Sequence, residues 1–248
     1  MMKIRLSPSY MNCRNEVEQI VAHFERQGGM IYHGRNMIKT FQTANGTWNV
    51  KRYHCPSLFN RIVYTFLRKP KGLRAFEYPN RIIPAGFETP YTIAYVEQRQ
   101  WGLISSSFFI SEHCPYKRRF YEFGDAKVAD VADILTEFVR FTAGLHEAGI
   151  YHRDYSPGNI LFDQKDGEWH FSIVDINRMV FGPVSIKKGC LNFARLWGQP
   201  EMFRFIATEY AHARHANEKD CTRWVMKARN RFWKPRAKRL DLPYNINF

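Results

Sequence analysis

Residues 151–161 carry side chains whose types and spacing suit phosphoryl transfer. This segment fits the pattern H-R-D-x-x-x-x-N, with Asp154 and Asn159 as its functional carboxylate and amide. Sixteen residues beyond Asn159 comes Asp175, within the run Val-Asp-Ile-Asn. Phosphoryl transfer needs an acceptor oxygen held in line with the γ-phosphate and cations that offset the developing negative charge. The three residues therefore predict a phosphotransfer site.

Each of these residues has a chemical role that follows from its side chain. Asp154 is predicted to orient the acceptor hydroxyl and to take its proton as the catalytic base. Asn159 and Asp175 are predicted to bind Mg²⁺, which prefers carboxylate, amide carbonyl and water oxygens. Because Asp154 and Asn159 lie five residues apart on one loop, both can face the same metal–phosphate cluster.

Nucleotide binding requires a lysine on a strand and a glutamate on the following helix. Lys51 lies on the third predicted strand and Glu77 on the next predicted helix, so we expect a Lys51–Glu77 ion pair that holds ATP. Lys39 is the alternative lysine, but it falls one strand too early. No G-x-G-x-x-G precedes Lys51, and Gly34 alone marks the first hairpin, so phosphate coverage there depends on backbone amides.

The first part of the chain predicts a sheet with two helices. An amphipathic helix is expected over residues 15–27, followed by three antiparallel strands over 30–53. A further helix is expected over 73–83, and strands over 91–99 and 103–110. This part therefore contains five predicted strands and one helix placed where a kinase has its αC helix.

The second part of the chain is mainly helical. The clearest helix is predicted over residues 125–147, with apolar residues along one side. Two short strands follow at 160–162 and 171–174, and the pattern from 192 to the end is helical and basic. Strands followed by helices indicate an α+β chain with two lobes.

These elements predict a protein-kinase-like bilobal fold. Residues 1–113 form the expected N-terminal lobe, with an N-terminal helix, an antiparallel sheet and one αC-like helix. Residues 114–248 form the expected C-terminal lobe, which is mainly helical and carries the catalytic loop and a basic tail.

Composition narrows the possible classes of protein. The chain has 248 residues, 45% of them hydrophobic and 16% aromatic, which excludes a disordered polymer. No apolar stretch is long enough to span a bilayer, and no leader sequence is recognised. The five scattered cysteines favour reduced cytoplasmic thiols over a zinc site or a disulfide framework. The net charge of +14 calls for an anionic partner.

A basic segment at residues 223–239 is the main candidate for contact with that partner. It contains eight Lys and Arg residues and no acidic residue, with Trp224, Phe232 and Trp233 between them. An anionic membrane surface suits this combination, although Trp224 and Trp233 equally suit packing against the lobe. No nucleic-acid partner is expected, because no nucleic-acid-binding motif is recognised.

The catalytic segment also resembles a known family. Residues 145–161 together with 174–179 resemble the lipopolysaccharide kinase family, and further matches lie at 51–53, 74–77 and 192–196. The resemblance runs from about residue 30 to about residue 215 and is most specific in the S-P-G-N and D-x-N-R runs.

This resemblance implies a function as well as a fold. It implies a cytoplasmic enzyme, peripheral at the inner membrane, that uses ATP and Mg²⁺ to phosphorylate Kdo or heptose of the lipopolysaccharide inner core, a lipid-linked anionic glycan. By the same match, Asp154 is the base, Lys51 and Glu77 bind ATP, and Asn159 and Asp175 bind metal. Two alternatives remain open: a kinase of the same fold acting on a small soluble molecule or a protein, and a non-catalytic pseudokinase.

Overall fold

The computed structural model describes residues 2–239 and 246–248. The chain forms two compact units, one comprising the residues up to Pro84 together with Thr89–Pro115, and the other comprising Ala85–Glu88 together with Tyr116–Phe248. The predicted boundary after residue 113 falls two residues before the structural break. The assignment of residues 85–88 to the first lobe is wrong, because Glu88 bonds to Tyr116 and His170 of the second unit.

The first unit is built on a six-stranded antiparallel sheet. Its strands are β1 (Met2–Leu6), β2 (Gly29–His33), β3 (Met37–Thr43), β4 (Gly46–Tyr53), β5 (Thr92–Gln100) and β6 (Leu103–Glu112). They follow the spatial order β1-β5-β6-β4-β3-β2. The sequence predicted five of these strands and missed β1. That strand is short and carries charges, and it pairs with β5 over five residues at the sheet edge.

Helix α1 (Arg14–His23) covers one face of this sheet. Val17, Ile20, Val21 and Phe24 recur at helical spacing and are all buried in one cluster with strand residues such as Trp48. Burial of this stripe, rather than local helix propensity, stabilises a helix only ten residues long. The helix is shorter than the predicted 15–27, because the chain turns after His23.

Lys39 on β3 stabilises that turn. Its Nζ donates hydrogen bonds to the backbone carbonyls of Phe24 at 2.6 Å, Glu25 at 3.2 Å and Gln27 at 2.9 Å. The three ammonium protons thus satisfy the carbonyl of the C-cap residue Phe24 and two carbonyls of the turn that follows it. Lys39 is therefore committed to structure, and Lys51 stays the predicted lysine for nucleotide binding.

The predicted helix over 73–83 is divided in two. Helix α3 (Lys71–Glu77) ends at Tyr78, and α4 (Pro79–Ile82) begins with a proline that lacks the N–H needed to continue α3. A further helix, α2 (Leu58–Ile62), continues into a π-helical turn over Val63–Leu67. The sequence predicted no element there. The large apolar residues of this segment are exposed and do not pack in a core.

The second unit is mainly helical around one aromatic core. Its helices are α5 (Val128–Glu147), α6 (Ile186–Asn192), α7 (Pro200–Ala213) and α8 (Glu218–Ala237). Short strands complete it: β7 (Arg118–Arg119), β8 (Ile150–His152), β9 (Ile160–Lys165), β10 (Glu168–Ile173) and β11 (Met179–Phe181). Phe138 of α5 contacts Tyr155, Phe171 and Phe193, so this helix is packed directly beneath the catalytic loop.

Replacing Lys39 tests its structural role. Lys39→Met leaves three carbonyls without a donor, and we expect the free energy of unfolding to fall by about 2–3 kcal/mol. Urea denaturation followed by circular dichroism measures this change. Arg26→Met is the matched control, because Arg26 is an exposed cation in the same turn. Equal stability of the two variants would contradict the assignment.

Candidate active site

The catalytic loop is anchored at both ends by strand pairs. Strand β8 pairs with β11, and β9 pairs with β10. Between them, Asn159 donates from Nδ2 to the backbone carbonyl of Asp154 at 2.8 Å, and from its N–H to the carbonyl of Ser156 at 2.9 Å. The amide of Asn159 thus fixes the backbone of the residue predicted to be the base.

His152 connects the two halves of the site. Its Nδ1 accepts a hydrogen bond from the N–H of Asp154 at 3.0 Å, and its Nε2 lies 3.0 Å from the carbonyl of Val174. A carbonyl only accepts, so Nε2 carries the proton and the ring is the neutral Nε2–H tautomer. Complete burial also lowers the pKa of His152 and favours that neutral form. One imidazole therefore holds Asp154 in position relative to the residue before Asp175.

A chain of hydrogen bonds supports His152 from below. Arg214 donates to the Tyr210 hydroxyl at 2.8 Å, and that hydroxyl lies 2.8 Å from His146 Nδ1. His146 Nε2 lies 3.0 Å from Asn192 Oδ1, and Asn192 Nδ2 donates to the His152 carbonyl at 2.9 Å. Because Asn192 Oδ1 only accepts, His146 Nε2 donates to it and the Tyr210 hydroxyl donates to Nδ1. All donors in this buried chain point towards the catalytic loop.

Two arginines hold the carboxylate of Asp154. Arg195 NH1 bonds to Oδ1, and Arg178 NH1 donates to Oδ2 at 3.2 Å. Arg195 lies just after α6, and Arg178 lies three residues after Asp175. Both arginines lie in runs of sequence that resemble the family. No role was predicted for Arg195 from the sequence, because it lies outside the H-R-D-x-x-x-x-N pattern. Together they fix the orientation of the predicted base and bring positive charge to it.

Asp175 has a backbone conformation that few residues adopt. Its φ is 54° and its ψ is 42°, in the left-handed region that aspartate tolerates better than most side chains. Asn177, which is buried, donates from Nδ2 to Asp175 Oδ1. Ile176 occupies the place of the phenylalanine in D-F-G and is buried in the core. Asn177 thus shapes the site by orienting Asp175.

The donor chemistry at this site fits Mg²⁺. Asn159 uses its Nδ2 on the Asp154 carbonyl, which leaves Oδ1 as the ligand atom. Asp175 supplies a carboxylate, so both donors are the hard oxygens that Mg²⁺ takes. Within residues 2–239 and 246–248, no three His, Cys, Asp or Glu side chains cluster as a metal site. The Mg²⁺ fit therefore rests on one carboxylate and one amide.

The residues predicted to bind nucleotide lie in the first unit. Lys51 is buried on β4, with Nζ 5.4 Å from the centre of the Tyr53 ring. Glu77 at the end of α3 pairs with Lys69 at 2.7 Å and approaches Arg5 at 4.0 Å. The expected Lys51–Glu77 ion pair is therefore wrong. The segment just before α3 brings Lys69 to the Glu77 carboxylate instead.

Gly34 lies in the turn between β2 and β3, as predicted. Its N–H donates to the carbonyl of Asn36 at 3.1 Å and closes the turn. A Cβ on this residue would lie 2.5 Å from the Tyr32 hydroxyl. The turn is thus compact around a glycine, although it has one glycine where a G-x-G-x-x-G loop has three.

Helix α8 uses part of its basic segment for the core. Arg229 is fully buried, donates to the Gly198 carbonyl at 2.9 Å, and has its pKa lowered to about 10 by burial. Trp233 is also buried and donates from Nε1 to the Leu196 carbonyl at 3.0 Å. Trp233 therefore packs against the lobe. Among the described residues, no helix has the length and hydropathy needed to cross a bilayer.

Residues 31–196 match the lipopolysaccharide kinase (Kdo/WaaP) family. The chain is also similar in structure to WaaP solved in complex with acyl carrier protein, with a TM-score of 0.60, 14% identity, and coverage of 93% of this chain and 99% of that one. The predicted α+β, protein-kinase-like fold is confirmed by this similarity.

Two further similarities are weaker. The Rio2 kinase–ADP/Mg²⁺–phosphoaspartate complex of Chaetomium thermophilum has a TM-score of 0.47 and 15% identity, over 90% of this chain and 71% of that one. A curated relative, calcium-dependent protein kinase 7 of Oryza sativa subsp. japonica, is 30% identical over 102 residues. That match covers 41% of this chain and 17% of the rice protein.

Acid stability tests the hydrogen-bond chain. Burial lowers the pKa of His146 from 6.5 to about 4. His146 therefore binds a proton near pH 6.5 in the unfolded chain but only near pH 4 in the native state. The free energy of unfolding falls as the pH drops through this window. At about pH 5 the loss from His146 is on the order of 2 kcal/mol.

His146→Gln removes this titration. We expect the variant to lose less stability than the wild type between about pH 7 and pH 5, as measured by urea unfolding at each pH. His152→Gln is not a suitable control, because it breaks the catalytic loop, whereas exposed His23→Gln leaves the chain intact. An unchanged pH dependence in His146→Gln would disprove the neutral role of His146.

Proposed function

We propose that this chain, which belongs to the lipopolysaccharide kinase (Kdo/WaaP) family, transfers phosphate from ATP to a sugar hydroxyl of the lipopolysaccharide inner core, on Kdo or heptose. The observation that carries the proposal is the geometry around Asp154. Its backbone is fixed by His152 and Asn159, and its carboxylate is fixed by Arg195 and Arg178. An aspartate held at two backbone atoms and at both carboxylate oxygens suits a base that must meet one hydroxyl.

Asp154 accepts the proton of the sugar hydroxyl as that oxygen attacks the γ-phosphorus of ATP. A new O–P bond forms, the bond to the β-γ bridging oxygen breaks, and ADP leaves. Arg195 and Arg178 orient the two carboxylate oxygens so that one can receive the proton. Their positive charge also favours the approach of an anionic acceptor.

The nucleotide and the metal are assigned to the residues that match the nucleotide- and metal-binding positions of the kinase sequence pattern. Lys51 binds the α- and β-phosphates, and Glu77 is the second nucleotide-binding side chain of the first unit. The backbone amides around Gly34 cover the phosphates. Asn159 and Asp175 hold Mg²⁺, which offsets negative charge on the phosphates when bound. These assignments rest on the sequence pattern and on the donor chemistry described above.

The exposed part of the basic segment contacts an anionic surface. After removal of the buried Arg229, the cations that remain on the surface are Arg223, Lys227, Arg231, Lys234, Arg236, Lys238 and Arg239. An anionic leaflet contributes about 1 kcal/mol for each basic residue close to it. We place the enzyme at the cytoplasmic face of the inner membrane, where its lipid-linked acceptor is anchored.

Replacing the base tests the reaction. With labelled ATP and purified lipid A–Kdo acceptor, Asp154→Ala should lower the rate of transfer by about 10²–10⁴-fold, because it removes the group that takes the proton. Asp133→Ala is the control, since Asp133 is an exposed carboxylate on α5. Wild-type rates for Asp154→Ala would reject this base. Transfer to a soluble sugar or protein, but not to the lipid acceptor, would favour the alternative kinase class.

Neutralising the lysines of α8 tests the anionic contact. The triple variant of Lys227, Lys234 and Lys238 to Gln should bind vesicles containing phosphatidylglycerol about tenfold or more weakly at low salt. Pelleting assays measure the bound fraction. Because the helix also carries core residues, deletion of the segment would unfold the unit, and point substitutions keep the test clean. Unchanged binding in the triple variant would reject α8 as the contact.

A further inference from the structure

The segment Leu58–Leu67 in the first unit has its apolar side turned outwards. We call it the apolar segment; it comprises α2 and the π-helical turn after it. Five large apolar side chains are exposed: Leu58 at 66%, Phe59 at 74%, Ile62 at 45%, Phe66 at 72% and Leu67 at 80%. Soluble surfaces rarely gather so many large apolar side chains on one short element.

The polar side of the same segment faces the protein and is well anchored. Arg61 donates from Nε to the Ile104 carbonyl at 2.7 Å and from NH2 to the Gln100 carbonyl at 3.1 Å. The hydroxyl of Thr65 accepts the N–H of Ile104 at 3.2 Å. These bonds attach the segment to the tip of the β5–β6 hairpin, so its outward apolar side is a fixed feature of the unit.

A tryptophan extends this apolar surface. Trp101 forms the tip of the β5–β6 hairpin, where its φ of 59° turns the chain, and 86% of it is exposed. Since Arg61 bonds to Gln100 and Ile104 on both sides of the tip, Trp101 lies beside the apolar segment. Tryptophan and tyrosine are enriched where a protein meets the headgroup region of a bilayer.

The stretch of sequence that contains the apolar segment carries charge of one sign. No acidic residue occurs between Glu25 and Glu77, a stretch of the sequence that contains ten cations: Arg26, Arg35, Lys39, Lys51, Arg52, Arg61, Arg68, Lys69, Lys71 and Arg74. Arg68 and Lys69 are exposed and directly follow the segment. Exposed apolar side chains beside cations suit a negatively charged lipid surface.

A cleft lies against the inner side of the segment. Its volume is about 450 Å³, and Ser57, Asn60 and Tyr64 of the segment region share its lining with Arg35 and Lys71. The lining is rich in hydrogen-bond donors and has two cations, which suits phosphate groups. The segment thus lies between an outward apolar surface and a polar cleft whose lining includes Arg35 and Lys71.

We infer that the apolar segment and Trp101 insert into the headgroup and upper acyl region of an anionic phospholipid leaflet. Phe59, Phe66 and Leu67 leave water for the acyl boundary, and the nearby cations contact lipid phosphates. A membrane is favoured over a protein partner because the apolar side chains project from the surface beside the exposed cations Arg68 and Lys69, of which Lys69 also pairs with Glu77. This surface belongs to the first unit and differs from α8, and it does not require the kinase reaction.

Vesicle binding of the full chain tests the inference. The probe is a vesicle of phosphatidylethanolamine and phosphatidylglycerol, with phosphatidylcholine vesicles as the uncharged comparison. Phe59→Ser combined with Phe66→Ser should weaken binding to the anionic vesicles by about tenfold or more. Met11→Ser is the matched control, because Met11 is also an exposed apolar residue of the first unit. Circular dichroism confirms that each variant is folded.

Trp101 provides a second, independent readout. Its fluorescence should shift to the blue and be quenched by brominated lipid on vesicle binding, and Trp101→Phe should remove most of this signal. The inference would be overturned if the double serine variant bound vesicles as tightly as the wild type. It would also be overturned if the fluorescence of Trp101 did not change on addition of vesicles. Loss of self-association in the double variant with vesicle binding unchanged would overturn it too, since a second copy would then be the occupant.

Discussion

The neutral imidazole of His152 is the contact on which the phosphotransfer geometry depends. It accepts from the N–H of Asp154 and donates to the carbonyl of Val174, so it joins the loop of the base to the strand end that carries Asp175. A protonated ring could not accept at Nδ1, and the Asp154 backbone would lose its partner. Burial favours the neutral ring, so the packing of the core helps to determine the position of Asp154.

The rest of the second unit supports this contact. The chain from Arg214 through Tyr210, His146 and Asn192 ends on the carbonyl of His152, and the acceptors Asn192 Oδ1 and His152 O fix the direction of its bonds. In a buried setting, an unmatched polar group costs more free energy than a matched one gains, so the whole chain is held together. Substitutions far from Asp154 can therefore disturb the site through hydrogen bonding alone.

The basic residues of this protein do several different jobs. Lys39 bonds to the turn after α1, Arg229 is a core residue, and Arg195 bonds to the carboxylate of Asp154. The net charge of +14 therefore cannot be assigned to one docking surface. A cation buried among carbonyls acts within the fold, whereas a cation exposed beside apolar side chains acts on a partner, and only its surroundings distinguish the two.

The sequence by itself determined the class of fold and the family, and it predicted the chemistry of the site. The H-R-D-x-x-x-x-N pattern, Asp175 and the periodic helix over 125–147 are local signals, because each depends on spacing within one segment. The resemblance to the lipopolysaccharide kinase family, which local runs such as S-P-G-N carried, is confirmed by the family match. Strand β1 was not predicted, because five residues with two charges show too little hydrophobic periodicity to indicate a strand.

Tertiary structure decided which long-range partners these residues have. Spacing could not show that Lys69 rather than Lys51 meets Glu77, or that Arg195 bonds to Asp154 across 41 residues of chain. It also could not show that the segment 58–67 faces outwards, since helical periodicity reveals an apolar side but not what covers it. Burial and pairing depend on how distant segments pack, and that information is absent from any single stretch of sequence.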